Sequence, residues 1–362
     1  MSETRNSASR NSETRKYVYQ LDECTPECAD LVGGKALGLG HLSRAGMRVP
    51  PGFVVSTAAY RRFLEKSGLA GEIDGIVNSA TTLKQRQEAS ERIEKLFEEA
   101  HPDGSIAREI KDSYEQLQVG GDTAPVAVRS SATAEDTTDA SFAGQQETYL
   151  WIQGLEDVSH HVTRCWASLF TPQAIAYRAR LGIPSKEVAM GVVVQTMVPA
   201  DAAGVMITLD PVTGDSSALS IEAAHGIGHA VVSGEVNPDR YAVDKVTLEV
   251  RSKSVVAKQI AYRFDPDTGT VHSMSVPEEQ QSAECVTDQE VKELAKLGKD
   301  LEKLLGAPQD IEWAIGPGES NPREIFLLQT RPETVWSQEQ RGPVSSGGSA
   351  MARMGSMFGG KK

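Results

Sequence analysis

Apolar residues recur at two spacings along the chain, and each spacing predicts one kind of element. A helical face is formed by Ala89, Ile93, Leu96, Phe97 and Ala100, which are three or four residues apart. A second helix should begin after Thr287, which has the spacing of a capping box with Glu290, and should end at Gly306. Its buried stripe would consist of Val291, Leu294, Leu297, Leu301 and Leu304.

Short apolar runs predict strands, which lie at 126–129, 188–195, 204–209, 218–223, 311–315 and 324–330. These runs do not alternate with helices as βαβ units, so the pattern predicts an α+β fold with antiparallel sheets. Residues 1–15 repeat Ser-Glu-Thr-Arg and, beyond Met1, contain no large apolar residue, so we expect a disordered tail. Residues 337–362 are weakly patterned, and we expect a flexible tail or a docking segment.

Composition and charge narrow the function class. The net charge of −13 argues against a nucleic-acid partner, which would select a basic face, although a local group of cations could still bind a nucleotide. No apolar run approaches the roughly 20 residues that span a bilayer, and the N-terminus lacks the apolar stretch of a signal peptide. We therefore expect a cytoplasmic protein with four reduced cysteines, whose spacing also does not form a zinc set.

Two segments carry cations that could bind phosphates. Gly33 and Gly34 precede Lys35 at the start of a predicted helix, where backbone amides and a lysine can meet an anion. The alternative is an ordinary glycine turn before a helix. A buried strand ends at Arg129 and is followed by small hydroxyl residues that could fold over phosphate oxygens, Ser130, Ser131 and Thr133. The alternative there is a solvent loop with a structural ion pair.

Two further segments suggest an adenine contact and a metal site. Gln195, Thr196, Met197 and Val198 connect two predicted strands, and such a connector can offer backbone groups to adenine. The alternative is a plain hairpin in a core. In the predicted hairpin near the C-terminus, Glu312 can face Gln329, and their oxygens suit Mg²⁺ that is also held by substrate phosphates. Arg331 shares a face with Gln329, although a surface ion pair between Glu312 and Arg331 is an alternative.

Together and in this order, these segments resemble the ATP-binding domain of the phosphoenolpyruvate synthase and pyruvate phosphate dikinase family. The resemblance covers about residues 18–336 and includes the Asp-Pro-Val-Thr-Gly turn at 210–214, the Val-Asn-Pro-Asp stretch at 236–239 and Leu-Gln-Thr-Arg-Pro at 328–332. It implies an ATP-grasp fold with an N-terminal lobe at 16–195 and a C-terminal lobe at 196–336.

The resemblance also implies residue roles. Lys35, Arg129 and Arg331 would bind the phosphates and act in catalysis, with Ser130, Ser131 and Thr133 beside them. Gln195 to Val198 would frame the adenine, and Glu312 and Gln329 would hold Mg²⁺. One departure is His229, which stands in Gly-Ile-Gly-His where relatives often have a carboxylate.

In the family, a histidine on a separate domain attacks the β-phosphate of ATP. None of the seven histidines of this chain lies in the glycine-rich Thr/Ser-His motif of that domain. We therefore expect the ATP-binding subunit of a split dikinase-type phosphotransferase, whose larger partner subunit carries the phosphohistidine and acceptor domains. Phenylphosphate synthase, with phenol as acceptor, is the leading example. The alternatives are the ATP-binding domain of a phosphoenolpyruvate synthase or rifampin phosphotransferase, and a non-catalytic nucleotide-sensing module.

Overall fold

The computed structural model describes residues 16–119, 121–132 and 147–336, which form a mixture of helices and sheets. The strands are β1 (Val18–Gln20), β2 (Gly52–Val55), β3 (Gln118–Val119), β4 (Asp122–Thr123), β5 (Val126–Ala132), β6 (Thr148–Ile152), β7 (Met190–Thr196), β8 (Ala202–Ile207), β9 (Ala218–His225), β10 (Asp239–Asp244), β11 (Val250–Ser254), β12 (Ile260–Asp265), β13 (Thr270–Ser275), β14 (Gln309–Ile315) and β15 (Ile325–Pro332). The helices are α1 (Ala29–Val32), α2 (Gly34–Arg44), α3 (Thr57–Ser67), α4 (Leu69–Ser79), α5 (Leu83–Glu99), α6 (Gly104–Tyr114), α7 (Leu155–Ala167), α8 (Pro172–Leu181), α9 (His229–Val232), α10 (Glu278–Gln281) and α11 (Asp288–Leu305). The predicted tails, 1–15 and 337–362, lie outside these ranges.

The helices and strands predicted from the sequence are confirmed. Each predicted strand overlaps an observed one, and the named strands pair antiparallel. The capping box is formed, because Thr287 Oγ1 accepts from the Glu290 N–H while the Glu290 carboxylate accepts from the Thr287 N–H. Gly306 ends α11 with a φ of 72°. The α+β class is therefore confirmed. Within the described ranges, no helix has the length and apolarity that crossing a membrane requires.

The first sheet has the strand order β1-β2-β7-β5-β6 and packs against helices from the N-terminal half. Its core is rich in buried aromatic residues, which include Phe53, Tyr60, Phe63, Phe97 and Trp166. Each such side chain contributes about 1.5–3 kcal/mol when it leaves water, so this core gives the functional strands β5 and β7 a rigid support.

The second sheet has the strand order β11-β10-β9-β8-β14-β15. Helix α11 belongs to its core through Val291, Leu294, Ala295 and Leu301. Strand β14 alternates, so Ile311, Trp313 and Ile315 join that core while Glu312 and Ala314 fall on the opposite face. That face looks across a cleft toward the first sheet.

Helix α2 joins the two sheets. Ala36, Leu39 and Leu42 lie in the same hydrophobic cluster as Trp313 and Leu327 of the second sheet. Gly38 has no side chain where α2 crosses β15, and a Cβ there would overlap the carbonyl oxygen of Thr330. The lobe boundary at 195 and 196 stays a prediction. Helix α2, although it comes from the N-terminal segment, packs into the core of the C-terminal sheet.

Candidate functional site

A cavity of about 260 Å³ lies between the two sheets, close to the lower bound of small-molecule sites. Its walls include most of the predicted site residues, namely Lys35, Arg129, Gln195, Thr196, Met197, Val198, Glu312, Gln329 and Arg331. The structure therefore brings together in one cleft segments that are widely separated along the chain. Ser130 and Ser131 are not among the lining residues, and Thr133 lies outside the described residues.

Arg129 reaches from the first sheet to the second. Its side chain is 11% exposed, and Nη2 donates to Glu312 Oε2 at 2.8 Å and to Gln329 Oε1 at 2.7 Å. Nη1 donates to the Leu328 carbonyl oxygen at 3.1 Å. The strand does not end at Arg129 as predicted, because β5 continues to Ala132 and stays paired with β7. From this mid-strand position the guanidinium binds oxygens of both β14 and β15.

Glu312 and Gln329 form the proposed metal pair, and they lie directly opposite each other in the β14–β15 ladder. Both side-chain oxygens are hydrogen-bonded to the same Arg129 nitrogen, so they converge on one point that already holds a cationic group. Two convergent oxygens fit Mg²⁺ when substrate phosphates supply further ligands. Within the described ranges, no cluster of three or more His, Cys, Asp or Glu residues could hold a metal by itself.

Arg331 is placed at the edge of the same cavity, and its side chain is 57% exposed. It pairs with Asp310, its cross-strand neighbour, through Nε at 2.8 Å and Nη2 at 2.6 Å. The alternative of a surface ion pair between Glu312 and Arg331 is therefore wrong, since Glu312 pairs with Arg129. The predicted common face of Gln329 and Arg331 is confirmed by their shared place on the cavity wall.

Lys35 enters the cavity from α2, and only 7% of the residue is exposed. Its ammonium group donates to the Ser130 carbonyl oxygen, which holds the lysine against β5. The neighbouring serine hydroxyls are engaged with the backbone: Ser131 Oγ donates to the Val32 carbonyl oxygen at 2.8 Å, and Ser130 Oγ donates to that of Glu147 at 3.3 Å. Ser131 therefore anchors the turn before Lys35, since its Oγ also accepts from the Ala36 N–H at 3.2 Å, whereas the Ser130 hydroxyl joins β5 to Glu147.

Gly33 allows a close approach of two backbone segments. Its N–H donates to the Ala29 carbonyl oxygen at 3.0 Å, so this group is not available to an anion as predicted. It adopts a φ of 79°, and a Cβ there would overlap the Ser131 carbonyl oxygen. Neither Gly33 nor Gly34 lines the described cavity. The turn needs glycine because it rests directly on β5, and this contact directs Lys35 into the cleft.

We expect Gly33→Ala to lower the free energy of unfolding by about 2–4 kcal/mol, because φ 79° and ψ 169° form a backbone region that essentially only glycine adopts and a Cβ would also clash. Gly46→Ala is the matched control, since Gly46 has a φ of 71° but no atom lies within 4 Å of the position that a Cβ would take. It should cost about 1–2 kcal/mol, which is the conformational term alone. Urea unfolding midpoints of both variants measure the difference. Equal losses would show that the turn does not rest on β5 as described.

Part of the backbone of the connector, residues 195–198, is hydrogen-bonded within the fold. The N–H of Thr196 donates to the Pro51 carbonyl oxygen at 2.8 Å, and that of Met197 donates to Pro125 at 2.9 Å. Gln195 is buried, and its Nε2 donates to the Pro50 carbonyl oxygen at 3.3 Å. The N–H groups of Thr196 and Met197 are therefore used within the fold, and the predicted contact of the connector with adenine stays a prediction. Within the described chain, the N–H of Val198 has no such backbone partner, so the predicted contact with adenine would be made through this donor.

Two aromatic contacts in and near the cleft were not predicted. His229 lines the cavity and packs edge-on against Tyr262, with ring centroids 5.0 Å apart. Trp151 of β6 stacks on Phe264 of β12, with centroids 4.6 Å apart and planes 12° apart, and so links the first sheet to the β12–β13 hairpin. His229 was identified from the sequence as a departure from the family pattern, but nothing in the sequence predicted its aromatic neighbour.

A cysteine behind the site is not a nucleophile. Cys165 is buried in the core of the first sheet, and burial raises the pKa of its thiol far above the usual value, although the charge of Lys35 opposes the rise. The neutral thiol is therefore the form present at neutral pH. The cleft offers binding and charge stabilisation, and its cations can dominate locally despite the overall negative charge.

The sequence is similar to those of known proteins. Residues 29–348 match the family described as pyruvate phosphate dikinase, AMP/ATP-binding domain. The chain is 43% identical over 330 residues to "Probable phosphoenolpyruvate synthase" of Methanocaldococcus jannaschii, covering 89% of this chain and 27% of the relative. It is 41% identical over 354 residues to phosphoenolpyruvate synthase of Aeropyrum pernix, covering 90% and 43%. The chain thus spans less than half the length of these relatives. Among solved structures, PH1788 from Pyrococcus horikoshii Ot3 aligns with 73% of this chain and 100% of its own, at 13% identity and a TM-score of 0.31, too weak a likeness to bear on the fold.

Proposed function

Since the chain belongs to the pyruvate phosphate dikinase AMP/ATP-binding domain family, we propose that its cleft binds Mg-ATP and presents the β-phosphate to a histidine of a partner subunit. The observation that carries this proposal is the convergence of Lys35, Arg129 and Arg331 with the Glu312–Gln329 oxygen pair on one cavity. Three cations and a cation-binding oxygen pair are what a triphosphate with its metal requires.

The cleft residues would act by charge neutralisation and positioning. Lys35 and Arg129 would bind phosphate oxygens from the first sheet, while Arg331 would meet them from the second. Mg²⁺, when bound by Glu312 and Gln329, would supply further charge to the phosphates. Arg129 already contacts both oxygens of the metal pair, so it is placed to connect phosphate binding to metal binding. A cleft of this kind needs no nucleophile of its own.

In the proposed reaction, a histidine nitrogen of the partner attacks the β-phosphorus, and the bond from that phosphorus to the α,β-bridging oxygen breaks. AMP leaves with the bridging oxygen. Water then attacks the γ-phosphorus of the pyrophosphohistidine, which releases phosphate and leaves phosphohistidine for the acceptor. The chain described here would therefore set the position of the β-phosphate, while the partner carries the transferred group.

The identity of the acceptor belongs to the partner. We propose phenol, as in phenylphosphate synthase, with pyruvate as the second candidate because the archaeal relatives are named phosphoenolpyruvate synthase. Comparing phosphorylation of phenol and of pyruvate by the reconstituted pair would separate these two acceptors. A purely nucleotide-sensing module is disfavoured, because the phosphate and metal residues are all present in the cavity.

We expect the isolated chain to bind Mg-ATP without forming AMP, and to form AMP once a histidine-domain subunit from the same genome is added. With ATP labelled at the β-phosphate, the label should move to that subunit. With ATP labelled at the γ-phosphate, the label should appear as free phosphate. Sustained AMP formation by the isolated chain, or γ-label retained on the partner after hydrolysis, would contradict the proposal.

A further inference from the structure

His229 faces the nucleotide cleft but is neither a phosphate ligand nor part of the connector. It begins α9 and lines the same cavity as Lys35 and Arg129. Its side chain is 48% exposed, so the imidazole can reach a molecule in the cleft. The position of His229 along the cleft determines which part of a bound nucleotide would lie beside it.

Strand β8 shows how deep His229 lies along the cleft. Val205 is the cross-strand partner of Glu312 and therefore marks the level of the metal pair. Gly228, the neighbour of His229, packs against Gly204 and Ala203, which lie one and two residues before Val205 in β8. A Cβ on Gly228 would lie 3.4 Å from Ala203 Cβ and 3.9 Å from Gly204 N. With a strand rise of about 3.4 Å per residue, this contact lies about 3–7 Å from the metal pair, toward the connector.

The C-terminal end of α9 also indicates that His229 lies on the connector side of the metal pair. Val231 and Val232 line an adjoining recess together with Glu312, Gln329 and Arg331. Helix α9 therefore runs beside the cleft with its last residues at the phosphate end and His229 nearer the connector. If the base lies at Val198 and the phosphates at Glu312, the group between them is the sugar.

The imidazole is held in place by two neighbours. Tyr262 presents its ring to the edge of His229, and its hydroxyl donates to Glu235 Oε2 at 2.6 Å. Glu235 Oε1 lies 3.9 Å from His229 Nε2. Ala200, Ala203 and Gly204 line the cavity at this depth and have no polar side chain. An imidazole can donate or accept one hydrogen bond at each nitrogen, and either bond suits a hydroxyl.

We infer that His229 binds a ribose hydroxyl of the nucleotide and so determines the preference for a ribonucleotide. The inference rests on the proposed function and adds to it a residue for sugar recognition. Tyr262 and Glu235 act as positioning residues that fix the imidazole beside the sugar.

Calorimetric titration with Mg-ATP, Mg-2′-deoxy-ATP and Mg-3′-deoxy-ATP tests this assignment in the full chain. The wild-type protein should bind at least one deoxynucleotide about 3- to 10-fold more weakly than ATP, the effect of one hydrogen bond. His229→Ala should lose about that much affinity for ATP and none for that deoxynucleotide. His229→Asn, which retains a hydrogen-bonding group, should recover part of the preference. His101→Ala, at an exposed histidine outside the cleft, should match the wild type.

The possible failures are distinguishable. An equal loss of affinity for all three nucleotides in His229→Ala, or no loss at all, would overturn the sugar assignment while leaving Mg-ATP binding in place. A wild-type chain that binds none of the three nucleotides would overturn the proposed function, and the sugar assignment with it.

Discussion

Replacing Arg129 with methionine should lower AMP formation by the reconstituted enzyme about 100-fold or more, the scale for removing a charge-stabilising donor. The substitution removes the cation that we assign to the phosphates and also the contacts with Glu312, Gln329 and the Leu328 carbonyl. Initial rates of AMP release at saturating Mg-ATP measure the effect. Binding of Mg-ATP to the isolated variant should weaken as well.

Arg129→Lys is the matched variant, because it retains the charge but not the planar fork that binds several oxygens together. We expect lysine to recover part of the ATP affinity while the rate of AMP formation stays well below that of the wild type. Thermal melting of both variants controls for a loss of folding. A lower melting temperature with unchanged AMP formation would mean that Arg129 only bridges the two sheets.

Glu312→Gln should raise the Mg²⁺ concentration needed for half-maximal ATP binding about 10-fold or more, which corresponds to about 1.4 kcal/mol. Glutamine retains the size of the side chain and an oxygen that can accept from Arg129, but it removes the charge that a divalent cation prefers. Only 11% of the Arg129 side chain and 26% of the Glu312 side chain are exposed, so losing the charge while keeping a hydrogen bond should lower apo stability by about 1–3 kcal/mol. ATP titrations at a series of Mg²⁺ concentrations measure the shift without any partner.

Glu324→Gln is the control for this experiment, because Glu324 precedes the same strand β15, at its far end, and pairs with Arg48 in an exposed position. It should leave the Mg²⁺ dependence unchanged. If Glu312→Gln gave a titration curve that superimposes on the wild-type curve, the metal would be held by other residues. A shift in both variants would indicate a general charge effect rather than a metal ligand.

Much of the fold could be predicted because it depends on local signals. The capping box of Thr287 and Glu290 and the glycine at 306 define α11 through contacts between near neighbours in the chain. The facing of Glu312 and Gln329 was predicted, but the hairpin loop alone does not produce it. The register of β14 against β15 shifts between Glu312 and Trp313, so that Gln329 rather than Leu328 lies opposite Glu312. The same register places Asp310 opposite Arg331, which is why the surface pair with Glu312 does not form.

The remaining features depend on contacts between distant parts of the chain. Arg129 meets Gln329 across 200 residues of sequence, and α2 packs on β15 through Gly38. Neither contact has a periodicity that a single sequence displays. The role of the glycine turn also could not be predicted from its residues. They suggest an anion site, whereas in the structure Gly33 allows the backbone to pack directly against Ser131. His229, Tyr262 and Glu235 likewise meet only after α9 and the β12–β13 hairpin are in place.

A crystal structure of the chain with Mg²⁺ and a non-hydrolysable ATP analogue tests the central claim most directly. The account predicts adenine at Val198, the metal between Glu312 and Gln329, and the β- and γ-phosphates within hydrogen-bonding distance of Lys35 and Arg129. A nucleotide bound outside this cleft, or bound within it without a metal at the Glu312–Gln329 pair, would contradict the account.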